Sequence, residues 1–121
     1  MQSEEYKKKF HKELKDLMDE HVHYVYALTK KFPKEEIYGV TSQLRRATLS
    51  IILNYIEGYA RIGEPTYKNF LKISYGSLKE SNYLLDFSLV ENYISLEEYQ
   101  KSIKTADRIG AMVWGVIKNL N

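Results

Sequence analysis

The sequence predicts an all-α fold, an up-down-up-down antiparallel four-helix bundle. Apolar residues recur at steps of three and four along four segments of roughly 20 to 28 residues, the helical period. The two prolines of the chain, Pro33 and Pro65, both fall between such segments, where a helix must stop. No stretch alternates apolar and polar residues as a half-buried strand does. At 121 residues the chain has the length of one domain, residues 1–121, and buries enough surface to fold without a disulfide or a structural metal.

The first helix is expected to start after Ser3, with Glu4 and Glu5 in the first turn where the helix dipole favours acid, and to end before Phe32-Pro33. Its apolar stripe reads Tyr6, Phe10, Leu14, Leu17, His21, Tyr24 and Leu28. Pro33-Lys34-Glu35-Glu36 reads as a proline-led turn ended by Gly39, with Thr41 as the cap of a second helix over residues 42–62. That helix is apolar on two sides, through Leu44, Ala47, Ile51, Tyr55 and Tyr59 and through Leu49, Ile52, Leu53, Ile56 and Ala60. A helix wetted on one narrow strip is central in its domain or covered by another subunit.

Gly63-Glu64-Pro65 breaks the chain again, and Thr66 is the expected cap of a third helix reaching about residue 91. Its core row, Tyr67, Leu71, Ser74, Leu78, Ser81 and Leu85, alternates large and small, and with Gly76 and Ser77 it allows a neighbouring helix to approach closely. Ser95-Leu96-Glu97-Glu98 is a capping box and opens the fourth helix. From there Leu96, Tyr99, Ile103, Ala106, Gly110, Val113, Ile117 and Leu120 form a heptad seam beside a second row of Ile109, Met112 and Val116. Extra apolar rows on helices two and four predict a homo-oligomer.

Composition excludes several chemistries. The chain has no cysteine, so thiol catalysis, thiolate metal sites and disulfides are absent, as suits a cytoplasmic protein. Its N-terminus alternates charges without the apolar region of a secretory signal. The purest apolar stretch, Ile51-Ile52-Leu53, is far short of a membrane span. Glu20-His21-Val22-His23 holds one Glu-x-x-His pair, but no histidine occurs on helices two, three or four to complete a di-metal site. His21 falls in the apolar stripe and reads as a core or interface histidine. There is no Gly-x-Ser-x-Gly elbow and no phosphate-cradling glycine loop. The expectation is a non-enzymatic protein with no cofactor and no bound metal.

Charge distribution carries the functional signal. Residues 1–29 hold five Lys/Arg and six Asp/Glu, residues 30–79 nine and four, and residues 80–121 four and six. The middle segment is therefore net +5 in a chain of net +2. Within it Lys68, Lys72, Tyr75 and Lys79 follow steps of four, three and four, aligning three ammonium groups and a phenol on one helical face, with Arg61 and Lys34 placed to extend the line. A row of cations suits phosphate tracking, and a tyrosine within it suits stacking on an unpaired base. A solvated bundle face is also commonly rich in lysine. Arg46 falls on the narrow polar strip of helix two, where it is expected to be half-buried, and Glu57 has Arg61 four residues on.

The middle of the chain adds a resemblance. Phe32-Pro33-Lys34-Glu35-Glu36-Ile37-Tyr38-Gly39-Val40-Thr41-Ser42-Gln43-Leu44-Arg45-Arg46-Ala47, then Ser50-Ile51, Asn54 and Glu57-Gly58-Tyr59-Ala60-Arg61, and later Phe70-Leu71-Lys72-Ile73 with Gly76-Ser77-Leu78-Lys79-Glu80, resemble the bacterial four-helix-bundle family of 23S rRNA intervening-sequence proteins. The resemblance covers about residues 25–120. Its members are similar to the accessory variability proteins of diversity-generating retroelements, which implies a barrel-shaped homopentamer that binds nucleic acid and a reverse transcriptase. The link to ribosomal RNA is that some members are encoded within inserts in the rRNA gene, and the activity of the family is not established. Helix two of the family usually reads Ser-Ile-Pro-Ala-Asn-Ile-Ala-Glu-Gly, where this chain has Ser50-Ile51-Ile52-Leu53-Asn54-Tyr55-Ile56-Glu57-Gly58. Losing the proline and two alanines predicts a straighter, bulkier helix and an altered subunit contact. The first functional reading is an oligomer that binds RNA or DNA through Arg61, Lys68, Lys72, Tyr75 and Lys79, joined by Arg45 and Arg46. The second is a scaffold that docks an acidic protein partner such as a nucleic-acid polymerase.

Overall fold

The computed structural model describes residues 3–120, and the element order is all helical. Helix α1 spans Glu4–Thr29, a 3₁₀ turn spans Lys34–Glu36, and α2, α3 and α4 span Val40–Tyr59, Thr66–Val90 and Leu96–Lys118. Consecutive helices are joined by short turns and pack side by side. The α2–α3 pair makes the most extensive contact, α4 closes the ring against α1, and in the diagonal pairs α1–α3 and α2–α4 no Cα atoms of the described residues come within 8 Å of each other. This is the up-down-up-down four-helix bundle that the periodicity predicts.

Helix ends follow local chemistry. Ser3 Oγ accepts from Tyr6 N at 3.0 Å, with Glu4 and Glu5 in the first turn. Ser95 and Glu98 form a reciprocal capping box, Glu98 N donating to Ser95 Oγ at 3.1 Å and Ser95 N to Glu98 Oε1 at 2.9 Å. Two caps differ from expectation. Helix α2 starts at Val40 with Gly39 as its cap, and Glu36 Oε1 accepts from Val40 N at 3.3 Å, so the carboxylate of the preceding turn does what a Thr41 hydroxyl would have done. Thr41 is buried in the first turn. Thr66 is the first residue of α3, behind Pro65, and no side chain caps that end. Helix α3 stops in a Schellman arrangement: Asn92 takes φ 63°, Asn92 N donates to Leu89 O, Tyr93 N donates to Ser88 O, and the Tyr93 ring meets Phe87 at 6.5 Å. Gly63, at φ +91°, makes the left-handed step between α2 and α3 that a side chain would strain.

The core has two apolar clusters. One joins Leu14, Met18, Ile51, Tyr55, Leu71, Leu78, Ile109 and Val113, and the other joins Val25, Leu28, Phe32, Leu44, Leu85 and Ile94. Each helix also buries polar side chains, among them His21, Thr48, Ser81 and Ser102. These three hydroxyls donate to their own helix, Thr48 to Leu44 O, Ser81 to Leu78 O and Ser102 to Tyr99 O. The α3 row Tyr67, Leu71, Ser74, Leu78, Ser81 and Leu85 is buried throughout, as its spacing predicts. Close approach of α2 and α3 comes from Gly58 rather than Gly76. A Cβ on Gly58 would lie 3.1 Å from Phe70 Cβ, whereas Gly76 faces open space.

Two apolar predictions are corrected. On α1 the inward face is Leu14, Met18, His21, Val22, Val25 and Leu28, while Tyr6 is exposed and Leu17 and Tyr24 are half-buried. Helix α1 has 26 residues against 20 in α2, so its first turns pass the end of α2 and lack that neighbour. On α4 the second row is consumed inside the chain, since Ile109 is fully buried and Met112 and Val116 pack on the same cluster. Helix α2 does keep an uncovered apolar strip. Its Ile52 sits in the core where the family places proline, and the helix runs unbroken, but Leu53 and Ile56 are 56% and 42% exposed, with Ile73 of α3 at 50%.

Candidate nucleic-acid interface

Helix α3 presents Lys68, Lys72, Tyr75 and Lys79 along its edge with α4. Leu71, Leu78 and Leu85 point to the core and fix the rotation of α3, so residues one position away from this row fall on the rim of the α3–α4 contact. Lys68 Nζ donates to Leu120 O at 3.4 Å, which ties the start of the row to the end of α4. Lys72 and Lys79 are exposed. None of the three lysines makes an ion pair among the described residues. Lys79 Nζ lies 5.1 Å from the centroid of the Tyr75 ring, a cation–π contact within the row.

Helix α4 adds residues that periodicity on α3 alone cannot indicate. Trp114, the only tryptophan of the chain, is 50% exposed and packs its ring 5.5 Å from Tyr75 at an interplanar angle of 37°. Between these rings and Lys79 lies a half-open groove of about 140 Å³, with Gly110 and Ala111 on the α4 side and Asn82 and Asp107 at its far end. Asn82 Oδ1 is buried without a hydrogen-bond partner among the described residues. Lys118 follows Trp114 by four residues on the same helical face. The sequence signal for this addition was the single Trp outside both apolar rows of α4, which only its neighbours across the groove make meaningful.

The other four predicted cations stand elsewhere. Arg61 pairs with the Glu57 carboxylate, donates to Glu57 O at 3.0 Å and stacks over Phe70 at 5.1 Å. Phe70 is two residues from both Lys68 and Lys72, hence on the opposite side of α3, and Arg61 does not join the row. Arg45, and not Arg46, is the half-buried arginine. Its Nε donates to Thr29 Oγ1 at 2.7 Å and its guanidinium covers the Tyr26 ring at 4.6 Å, so it fastens α2 to α1. Arg46 is exposed on the outer face of α2. Lys34 belongs to the 3₁₀ turn at the other end of the molecule from Lys68.

Histidine chemistry is structural. His21 is 1% exposed, neither ring nitrogen has a hydrogen-bond partner among the described residues, and burial pushes its pKa down to about 4. His23 is exposed and lies 3.5 Å from Asp19. His11 was not singled out by the sequence. It stacks on Tyr59 at a ring separation of 3.6 Å and bonds Tyr55 Oη through Nδ1 at 2.7 Å, with its pKa lowered by desolvation and then by Lys15. Burial in turn raises the pKa of the Tyr55 phenol. No group of three His, Asp or Glu side chains is placed to hold a metal among the described residues, and no helix among them is long and apolar enough to cross a membrane.

Comparison with known proteins supports the architecture. A crystal structure from Bacteroides thetaiotaomicron VPI-5482, described as a protein with unknown function from the S23 ribosomal protein family, superposes with a TM-score of 0.80 at 22% identity, covering 88% of this chain and 99% of its own. That degree of identity speaks for the fold. No curated protein matches the sequence. The family described as 23S rRNA-intervening sequence protein matches residues 5–115, nearly the whole bundle including the Phe32-to-Arg61 run and both helices of the groove. The chain therefore belongs to the 23S rRNA-intervening sequence protein family.

Proposed function

We propose that this bundle is a non-enzymatic, homo-oligomeric protein that binds RNA or DNA through the α3–α4 face. The observation that carries the reading is the row Lys68, Lys72 and Lys79 with Tyr75 inside it, free of ion pairs among the described residues. Cations that are not neutralised by neighbouring carboxylates are the ones that can exchange condensed counterions for phosphate contacts. A chain of net +2 has little long-range attraction alone. Assembly multiplies the row, so affinity arises from several weak contacts on one polyanion. The uncovered Leu53, Ile56 and Ile73 support assembly of copies, with a pentamer the stoichiometry that the family resemblance suggests.

Fluorescence anisotropy of labelled single-stranded RNA and duplex DNA, at low and physiological salt, tests the reading. Binding should weaken with salt at about 0.7 to 0.9 log units per log unit of salt for each phosphate contacted. Changing Lys68, Lys72 and Lys79 together to Glu should abolish it. A folded oligomer that binds no nucleic acid at low salt would overturn the proposal. The alternative would then lead: the same lysines docking an acidic protein such as a nucleic-acid polymerase, with the apolar α2 strip as a further protein contact.

A further inference from the structure

We infer that the α3–α4 groove is a subsite for one unpaired base, held against Trp114 with its amino-bearing edge toward Asp107 and Asn82. The inference rests on the nucleic-acid reading of this face and adds what that reading lacks, a reason to choose single strands and to distinguish bases. At about 140 Å³ the groove is well below the volume of sites that enclose a drug-sized ligand. It admits one flat ring system. Trp114 leaves half its surface open beside it while Tyr75 backs the indole from α3. An exposed indole next to cations is a stacking platform, and a base reaches it only when unpaired and unstacked.

The end of the groove sets the edge chemistry. Asp107 is exposed and unpaired among the described residues, and as a carboxylate it accepts hydrogen bonds only. Asn82 Oδ1, buried without a partner, is a second acceptor. A base entering with its C4 edge foremost must bring N–H groups there: cytosine presents its C4 amino group, whereas uracil presents a carbonyl at C4 and holds its one edge N–H, at N3, between two carbonyls that these acceptors repel. A guanidinium would also satisfy these acceptors, but Lys79 on the rim, with Lys72 further along the same helical row, disfavours a cation and favours the phosphates flanking a base. The groove thus accounts for Trp114, Asn82 and Asp107 together, which a solvated helix face leaves unrelated.

Because Trp114 is the only tryptophan, its emission reports this site alone when excited where tyrosine does not absorb. Short oligocytidylate and oligouridylate are titrated into the full chain, following Trp114 emission and anisotropy of an end label together. The expected result is quenching of Trp114 and tighter binding of oligocytidylate. Trp114→Leu should weaken oligocytidylate roughly 5- to 150-fold, the effect of losing one stacked base, while leaving the salt slope unchanged. Asp107→Asn, an exposed and fold-neutral change, should bring the two oligomers to similar affinity because an amide also donates. Binding with a normal salt slope but no change in Trp114 emission, or equal affinity of the wild-type chain for both oligomers, overturns the subsite and leaves the phosphate-binding reading in place. Absence of any binding at low salt overturns both.

Discussion

His21 and Arg45 show how much a single polar side chain enclosed by the helices can matter in this bundle. His21 is neutral in the folded chain because burial takes its pKa from 6.5 down to about 4. The unfolded chain therefore binds more protons between those values. Stability is complete above pH 6.5 and is lost as pH falls toward 4, by about 3 kcal/mol in all. His11 shifts in the same direction, by desolvation and then Lys15, and adds to the loss. His21→Leu should flatten this slope, and it should not destabilise at neutral pH because it removes two ring nitrogens that have no partner among the described residues. Urea melts at pH 7 and pH 5 check both. Arg45→Ala loses the Thr29 bond and the Tyr26 cover and should cost about 1–2 kcal/mol, whereas Arg46→Ala should stay within about 0.5 kcal/mol. Chemical denaturation of the two variants side by side would expose any reversal of that order.

Each helix boundary is set by a few atoms, so its contribution can be removed without touching the core. Ser95→Ala deletes the capping box of α4 and should lower stability by about 1 kcal/mol, with loss of amide-exchange protection concentrated in the first turn after Ser95. Gly58→Val acts on packing between elements. Its Cβ would stand 3.1 Å from Phe70 Cβ and 3.5 Å from Tyr67, both on α3, so Phe70 must give by a few tenths of an ångström for the Cβ alone and by more for the two methyls. A cost of about 1–3 kcal/mol is expected, despite the helix propensity regained by replacing glycine. A thermal melt equal to wild type would mean that the α2–α3 contact relaxes more easily than its spacing indicates. The Tyr93 hydroxyl, donating to Glu36 Oε2 at 2.7 Å, ties the turn before α2 to the turn before α4 and holds both caps at one end of the bundle.

At the scale of the molecule, one face is charged and aromatic and another is apolar. The cationic row and Trp114 lie on the α3–α4 side, and Leu53 and Ile56 lie on the outer side of α2. Leu53 and Ile56 stand on a different helix from every residue that lines the groove. Leu53→Glu should lower the mass measured by light scattering while circular dichroism keeps its helical form, because the residue is 56% exposed and supports no core contact. The same variant should retain Trp114 quenching by oligonucleotide and lose apparent affinity through reduced multivalency. An unchanged mass would remove α2 from the assembly surface.

Sequence by itself determined the four helices, the Ser3 and Ser95 starts, the buried α3 row and the alignment of Lys68, Lys72, Tyr75 and Lys79. Those are matters of local period and capping, where each residue's neighbours are three or four positions away in the chain. Tertiary structure alone decided that Arg45 is fastened to α1 while Arg46 is free, that the second row of α4 is consumed by its own core, and that Arg61 faces away from the lysine row. It also decided that Tyr75 meets Trp114, residues 39 positions apart. Period fixes which side of a helix is apolar but not the rotation and register of the helix packed against it. A groove whose walls come from two helices becomes visible only when packing sets both.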